Sequence, residues 1–212
     1  MCSSDLADDI DGRWVRLAGH PTTVKTRYVS GGQQILRLDV EEIVAPTAEV
    51  TEALLARFAE VLETIDAVVL SDYAKGVLSP AVIRGLVERA RDRDVPVVID
   101  PKSRDVARYA GASVITPNAS EAAMIAGFPC IDDATAEEAA RVVRDQAGVE
   151  AVVLTRGAQG MTIWEPSLAP DRPVTIPTQA SEVFDVSGAG DTVVAALTLA
   201  LSAGASVTTG AR

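Results

Sequence analysis

The sequence predicts an α/β fold in which helices flank a mostly parallel β-sheet. Four short apolar runs have the length and composition of buried strands, at residues 67–70, 95–99, 113–116 and 151–154. Each run follows a segment with helical periodicity, and helices that alternate with buried strands produce a parallel sheet covered on both faces. The chain has 212 residues, of which 48% are hydrophobic, and is long enough to bury one sizeable core.

Residues 1–21 are polar and irregular, so the folded domain is predicted to span residues 22–212. This domain begins with a hairpin over about residues 22–40, because two runs of β-strand composition flank a Gly31-Gly32 turn. The second run alternates apolar and polar side chains. That alternation is typical of a hairpin covered on one face only.

The remaining elements are predicted from their periodicity. Helices are expected at residues 50–65, 80–93, 105–109, 135–146 and 188–202. The short, proline-punctuated runs between residues 161 and 183 predict antiparallel edge strands.

The composition argues against several classes of function. A formal net charge of −11 disfavours nucleic acid and anionic membrane surfaces as partners. Two cysteines and the single histidine, His20, supply neither a disulfide framework nor a metal-ligand cluster. This use of cysteine is typical of a reducing compartment, so we expect a cytoplasmic location. No apolar run is long enough to span a membrane, and the first residues lack a signal-peptide pattern.

Polar clusters follow all four predicted parallel strands, at residues 71–76, 100–102, 117–121 and 155–160. Any one of these clusters is compatible with an ordinary loop. In open α/β sheets, however, ligands bind beyond the carboxyl ends of the strands, and all four clusters share that edge. Together they predict a cleft.

The strongest local signal is Asp-Val-Ser-Gly-Ala-Gly-Asp at residues 185–191, followed directly by an apolar helix. The backbone N–H groups of Gly188, Ala189 and Gly190 would lie at a helix start, which favours an anion. Asp191 then places a carboxylate where it can take a proton from an attacking hydroxyl. The alternative is a tight turn with an acidic residue in the first turn of a helix. The segment lacks the Gly-Lys-Ser/Thr ending of a P-loop.

These residues resemble the ribokinase-like (PfkB) family of carbohydrate kinases. The family signature Asp-Thr-x-Gly-Ala-Gly-Asp corresponds to residues 185–191, with Val186 in place of the usual Thr. The family's Asn-x-x-Glu motif corresponds to residues 118–121, and its nucleotide-side turn to residues 155–160. The resemblance extends from about residue 22 onward and implies a ribokinase-like fold with the hairpin as a small β lid.

The resemblance also implies roles for individual residues. Asp191 would be the catalytic base, with Gly188, Ala189 and Gly190 as the anion hole. Asn118 and Glu121 would organise Mg²⁺ through its waters around the phosphates of ATP, an arrangement that suits an ion that keeps much of its hydration. Asp185 would contact a monovalent cation such as K⁺. Thr155, Gly157 and Gly160 would line the nucleotide, and the candidates for contact with the sugar or its phosphate are Lys102, Lys75 and Arg37.

Within that family, several stretches look closest to kinases of D-glycero-β-D-manno-heptose 7-phosphate, at residues 33–39, 70–76, 100–102, 115–118 and 177–183. That likeness implies ATP-dependent phosphorylation of the anomeric O1, a step toward ADP-heptose. Such kinases occur alone or fused to an adenylyltransferase, and a homodimer is expected for the full-length protein.

Two alternatives remain open from the sequence. The chain resembles kinases of other sugars or nucleosides in the same motifs, and a non-catalytic binding module is a further possibility, although retention of Asp191 argues against it. Family members also begin with a strand and a Gly-Gly-x-x-Asn segment and continue beyond the catalytic helix. We therefore expect a chain truncated at both ends.

Overall fold

The computed structural model describes residues 11–17, 19–20, 22–31, 33–166, 172–178 and 188–211. Within these residues, strands β1 (Val24–Ser30) and β2 (Gln33–Val40) form a separate antiparallel hairpin. Six strands form one central sheet in chain order: β3 (Val68–Ser71), β4 (Val97–Asp100), β5 (Val114–Ile115), β6 (Ala151–Thr155), β7 (Met161–Trp164) and β8 (Val174–Ile176). Strands β3 to β6 are parallel, and β7 and β8 are antiparallel. The predicted α/β fold with a mostly parallel sheet is confirmed.

The described helices are α1 (Ala48–Val61), α2 (Pro80–Arg91), α3 (Ala119–Ala126), α4 (Asp133–Ala147), α5 (Ala189–Ser202) and α6 (Val207–Gly210). The predicted helices are present with ends shifted by a few residues, except that residues 105–109 contain a 3₁₀ turn, Val106–Tyr109. Helices α3 and α6 were not predicted. In the part of the chain that the structure describes, no helix has the length and apolar character needed to cross a membrane.

Side-chain caps determine where the first four helices begin. Thr47, Ser79, Asn118 and Asp132 each accept a hydrogen bond from the backbone N–H three residues further on. Such a bond satisfies one of the donors that a helix start leaves free. Helix α5 differs, because its N-cap is Gly188 and supplies no side-chain hydrogen bond.

Successive residues of the central strands enter two separate cores. On one face of the sheet, Val97 and Ile99 of β4 belong to a buried cluster that includes Ile83 of α2. On the other face, Val98 packs in a cluster with Leu197 of α5. This two-sided burial explains why the strand sequences are apolar throughout. It also fixes α5 across the sheet, with its first turn at the edge where β4 and β6 end.

The hairpin departs from its prediction. Every residue of β1 is exposed, and in β2 only Asp39 is partly covered. Ile35 and Leu36 point to opposite faces and are 70% and 55% exposed. The expectation of one covered face is therefore wrong, because neither face packs into the buried clusters of the central sheet.

The antiparallel strands at the other end of the sheet were predicted as edge strands. Of these two strands, β8 lies at an edge of the described sheet, whereas β7 pairs with β6 on one side and with β8 on the other. Residues 167–171 and 179–183 of the predicted region lie outside the described residues.

Candidate active site

A cavity of about 150 Å³ lies at the carboxyl edge of the sheet, where β4, β5 and β6 end and α5 begins. Its lining residues are Asp100, Lys102, Thr116, Asn118, Glu121, Thr155, Gly188, Gly190 and Asp191. The structure thus brings three of the four predicted strand-end clusters together with the Gly-Ala-Gly-Asp segment. These residues are far apart in the sequence. They meet because the carboxyl ends of parallel strands lie at the same edge of the sheet.

A larger cavity of about 600 Å³ lies at the opposite edge, beside the residues that precede β4, β5 and β6. It is lined by both acidic and basic side chains, among them Arg144 and Glu165. Parallel sheets place their ligands at the carboxyl ends of the strands rather than at this edge. The smaller cavity is therefore the candidate site.

The start of α5 is open toward the cavity. Gly188 has φ 78°, a left-handed conformation that favours glycine, and a Cβ added at Gly188 or Gly190 would meet no atom within 4 Å. The backbone N–H and hydroxyl of Thr192 both donate to the Gly188 carbonyl, at 2.9 and 3.0 Å, which closes the first turn. Asp191 lies in that turn and is exposed. The backbone N–H groups of this first turn can therefore bind an anion, and the Asp191 carboxylate lies beside it, where it can accept a proton.

Asn118 and Glu121 form a capping box at the start of α3. The Glu121 N–H donates to Asn118 Oδ1 at 2.9 Å, and the Asn118 N–H donates to Glu121 Oε2 at 2.9 Å. Both side chains also line the cavity. The Asn-x-x-Glu spacing is itself a capping-box pattern, and this signal would have predicted α3 from the sequence.

Lys102 joins two acidic side chains in the cavity. Its Nζ donates to Glu121 Oε1 at 2.6 Å and to Asp100 Oδ1 at 3.4 Å. Burial raises the pKa of Asp100, Lys102 partly offsets that effect, and Glu121 and Asp191 add to it. Burial lowers the pKa of Lys102, but its contacts with Glu121 and Asp100 together outweigh this effect, so the pKa is raised. Asp100 belongs to the predicted polar cluster at residues 100–102, and its position at the end of β4 is the sequence signal for a role in the site.

The nucleotide-side turn divides into two parts. Thr155 lines the cavity, whereas Gly157 and Gly160 lie beyond it. A Cβ at Gly160, where φ is 86°, would lie 2.0 Å from the Ile176 carbonyl oxygen. Close packing against the end of β8 therefore requires a glycine at residue 160.

The structure does not bring Lys75 and Arg37 into the cavity. The Lys75 ammonium pairs with Glu41, and Arg37 Nε donates to Asp39 at 3.0 Å. A hydrogen bond from Lys25 lowers the pKa of Asp39, and one from Lys75 lowers the pKa of Glu41. These cations lie at the hairpin and its base, each beside a carboxylate. The remaining predicted residue, Asp185, lies outside the described residues.

A buried pair that sequence reasoning missed shapes the turn after β3. Asp72 is 3% exposed and accepts a hydrogen bond from the Tyr109 hydroxyl at 2.6 Å and from the Ala74 N–H at 2.8 Å. Burial, then the hydrogen bond with Asp72 and the charge of that carboxylate, raise the pKa of Tyr109. Ala74 adopts φ 54°, an uncommon conformation for a residue other than glycine. The pair holds this turn, and with it Lys75, at the carboxyl edge.

The cavity offers oxygen ligands of the kind Mg²⁺ prefers, from Asp100, Asn118, Glu121 and Asp191. Among the described residues, no group of three or more His, Cys, Asp or Glu side chains is arranged to hold a metal ion. Mg²⁺ commonly keeps several waters and binds one or two carboxylates together with substrate phosphates. The donor set fits that mode of binding.

The fold and this site define a ribokinase-like α/β architecture. The chain belongs to the pfkB family of carbohydrate kinases, whose profile matches residues 7–212. It is 49% identical over 187 residues to the Bifunctional protein HldE of Caulobacter vibrioides, an alignment that covers 88% of this chain and 38% of the relative. The chain therefore spans about two fifths of that relative's length.

Solved structures share the fold at low identity. Phosphofructokinase-2 from Escherichia coli in complex with potassium superposes with a TM-score of 0.67 and 19% identity, covering 90% of this chain and 60% of that one. Arabidopsis thaliana ribokinase complexed with ribose and ATP gives a TM-score of 0.61 and 20% identity, covering 90% and 59%. These likenesses establish the ribokinase-like fold.

Proposed function

We propose that this chain carries the catalytic centre of an ATP-dependent sugar kinase, which transfers a phosphoryl group to a sugar hydroxyl. The observation that carries the proposal is the meeting of Asp191 and the open start of α5 with Asn118 and Glu121 in one cavity. A base, a set of anion-binding N–H groups and oxygen ligands for a metal are the parts that phosphoryl transfer needs.

Asp191 is the proposed base that accepts the proton of the attacking hydroxyl. The N–H groups of Gly188, Ala189 and Gly190 are the proposed anion hole for the transferring group. Four N–H groups at a helix start lack intrahelical partners, and the helix dipole favours negative charge there. The absence of a side-chain cap on α5 leaves this end available to a ligand.

Asn118 and Glu121 are the proposed residues that hold Mg²⁺ through its waters. Bound with ATP, Mg²⁺ would neutralise the charge that develops on the phosphates. Asp185 is the proposed contact for K⁺, and the potassium complex of the structurally similar phosphofructokinase-2 supports the choice of that ion.

Thr155, Gly157 and Gly160 are the proposed nucleotide side of the site, and Thr155 has the most direct support because it lines the cavity. Lys102 is the favoured cation for a phosphate for the same reason. Lys75 and Arg37 are proposed to act from the lid side. They would have to exchange their carboxylate partners for the sugar's phosphate.

The proposed substrate is D-glycero-β-D-manno-heptose 7-phosphate, phosphorylated at the anomeric O1. Support comes from the stretches that resemble kinases of this sugar and from the 49% identity to a relative named as a bifunctional protein. A kinase fused to an adenylyltransferase would account for such a name. We propose a cytoplasmic location, where ATP is available, and a homodimer for the full-length protein.

The test is a coupled ADP-release assay on the protein that contains this chain, with a panel of sugars. We expect the heptose 7-phosphate to be turned over faster than fructose 6-phosphate, fructose or ribose. Asp191→Asn should retain ATP binding and lower kcat by roughly 10²–10⁴-fold, the usual contribution of a positioned base.

Asp132→Asn is the matched control, because Asp132 lies at the start of α4 outside the cavity and asparagine also caps helices. Its turnover should equal that of the unchanged protein. Near-normal turnover by Asp191→Asn would contradict the role of the base, and preference for ribose or fructose would contradict the proposed substrate.

A further inference from the structure

Two largely buried carboxylates share one cation in the cavity. The side chains of Glu121 and Asp100 are 13% and 17% exposed, whereas that of Lys102 is 39% exposed. Carboxylates removed from water need a positive partner, because their desolvation is otherwise uncompensated. Lys102 supplies that charge, at 2.6 Å from Glu121 and 3.4 Å from Asp100.

The oxygens of Glu121 are both engaged. Oε2 accepts the Asn118 N–H that closes the capping box, and Oε1 accepts the Lys102 ammonium. The capping bond holds the start of α3 in place, so it is the bond that should persist. The bond to Lys102 is the exchangeable one, because this side chain is more than a third exposed and has a flexible four-carbon stem.

We propose that Lys102 is an exchangeable counter-ion of the metal site, bonded to Glu121 and Asp100 in the absence of ligands and transferred to the nucleotide phosphates when a divalent cation binds. This inference rests on the proposed function, since it assigns the order of events at the same site. Lys102 and the divalent cation satisfy the same pair of carboxylates, and the phosphates provide the displaced ammonium with a new partner.

The exchange couples the binding of metal and nucleotide. A divalent cation alone must displace Lys102 without any compensating contact for the ammonium. When the cation binds together with the nucleotide, the phosphates become the new partner of the Lys102 ammonium, and its contacts are not lost. The divalent cation and the nucleotide therefore strengthen each other's binding by the same factor. Removal of Lys102 should therefore strengthen the binding of the metal alone and weaken the binding of the nucleotide.

The experiment is a titration with Mn²⁺ alone, followed through the electron paramagnetic resonance signal of the free ion. Lys102→Met should bind Mn²⁺ at least about fivefold more tightly than the unchanged protein, because a competing cation next to the site is gone. In a second titration with ATP and saturating Mn²⁺, the same variant should bind ATP roughly tenfold more weakly.

Two variants control the result. Arg93→Met removes the same charge from an exposed ion pair of equal length, 2.6 Å to Glu63, and Arg93 lies just before β4 at the other edge of the sheet. It should leave the Mn²⁺ affinity unchanged. Lys102→Arg keeps the charge and should bind Mn²⁺ no more tightly than the unchanged protein.

Equal or weaker Mn²⁺ binding by Lys102→Met would overturn the exchange, whatever the outcome of the kinase assay. Tighter Mn²⁺ binding by Arg93→Met to the same extent would also overturn it, because the effect would then be one of net charge. Absence of phosphoryl transfer to any sugar, with the Mn²⁺ result as expected, would contradict the proposed function and leave the exchange supported.

Discussion

Gly157 and Gly160 belong to one turn after β6, yet the structure places different demands on them. Both have positive φ, 56° and 86°. A Cβ at Gly157 would meet no atom within 4 Å, whereas one at Gly160 would lie 2.0 Å from Ile176 O and 2.7 Å from Thr178 N. Gly160 is therefore required by the close approach of two backbone segments, in addition to any contact with a nucleotide.

We predict that Gly160→Ala lowers the free energy of unfolding by more than about 3 kcal/mol, because positive φ and overpacking both oppose it. Gly157→Ala should cost only about 1–2 kcal/mol, the penalty of the left-handed conformation alone. Urea denaturation of the two variants measures the difference. Equal losses of unfolding free energy in the two variants would show that the packing of residue 160 against β8 contributes little to stability.

At the scale of elements, α4 illustrates how a helix start is specified. Asp132 accepts the N–H of Thr135 at 2.8 Å, and the Thr135 hydroxyl accepts the Asp132 N–H at 3.1 Å. The side-chain hydrogen bond from Thr135 and then its backbone hydrogen bond lower the pKa of Asp132. A lowered pKa means that the folded protein favours the charged form of this side chain.

The stabilisation by the Asp132 charge should be present at neutral pH and lost in acid. The pKa of Asp132 is lower in the folded protein than in the unfolded chain. The charge therefore adds to the free energy of unfolding above about pH 4, and this contribution disappears as the pH falls through the pKa of the folded state. Asp132→Asn keeps a capping side chain without the charge, so it should be less stable than the unchanged protein at pH 7 and converge with it in acid. Unfolding curves at a series of pH values test this. A constant difference would exclude the charge as its cause.

At the scale of the whole molecule, apolar side chains remain outside the two cores. Val24, Tyr28, Ile35, Leu36 and Leu38 of the hairpin are each at least 50% exposed. Strand β3 forms one edge of the described sheet, and its Val69 is 42% exposed. Exposed apolar surface of this kind favours association with a further surface.

We predict that the chain self-associates through the hairpin and that sedimentation velocity detects the complex. Ile35→Glu and Leu36→Glu lie on opposite faces, and at least one of them should shift the distribution toward monomer by placing a charge in the contact. Ile131→Glu is the control, because Ile131 is 67% exposed and lies outside the hairpin. A monomeric unchanged chain would contradict the prediction, as would equal effects of all three variants.

Local patterns in the sequence determined the class of fold, the helix-strand alternation and the Gly-Ala-Gly-Asp segment. Periodicity and glycine spacing are properties of a single element, so they can be recognised from the sequence without knowledge of tertiary contacts. Periodicity alone does not predict α3, because this helix has only eight residues; its sequence signal is the capping-box spacing of Asn118 and Glu121, the residues that the family resemblance assigns to metal binding.

Only the tertiary structure decided which charged side chains meet. Lys102 reaches Glu121 across 19 positions of sequence and enters the cavity, whereas Lys75 reaches Glu41 across 34 positions and remains outside it. Both lysines follow a strand end, and nothing local distinguishes them. Their partners depend on where the loops of neighbouring strands and the base of the hairpin pack. Ion pairing is a property of that packing, because a charge responds to whatever group lies within a few ångströms of it.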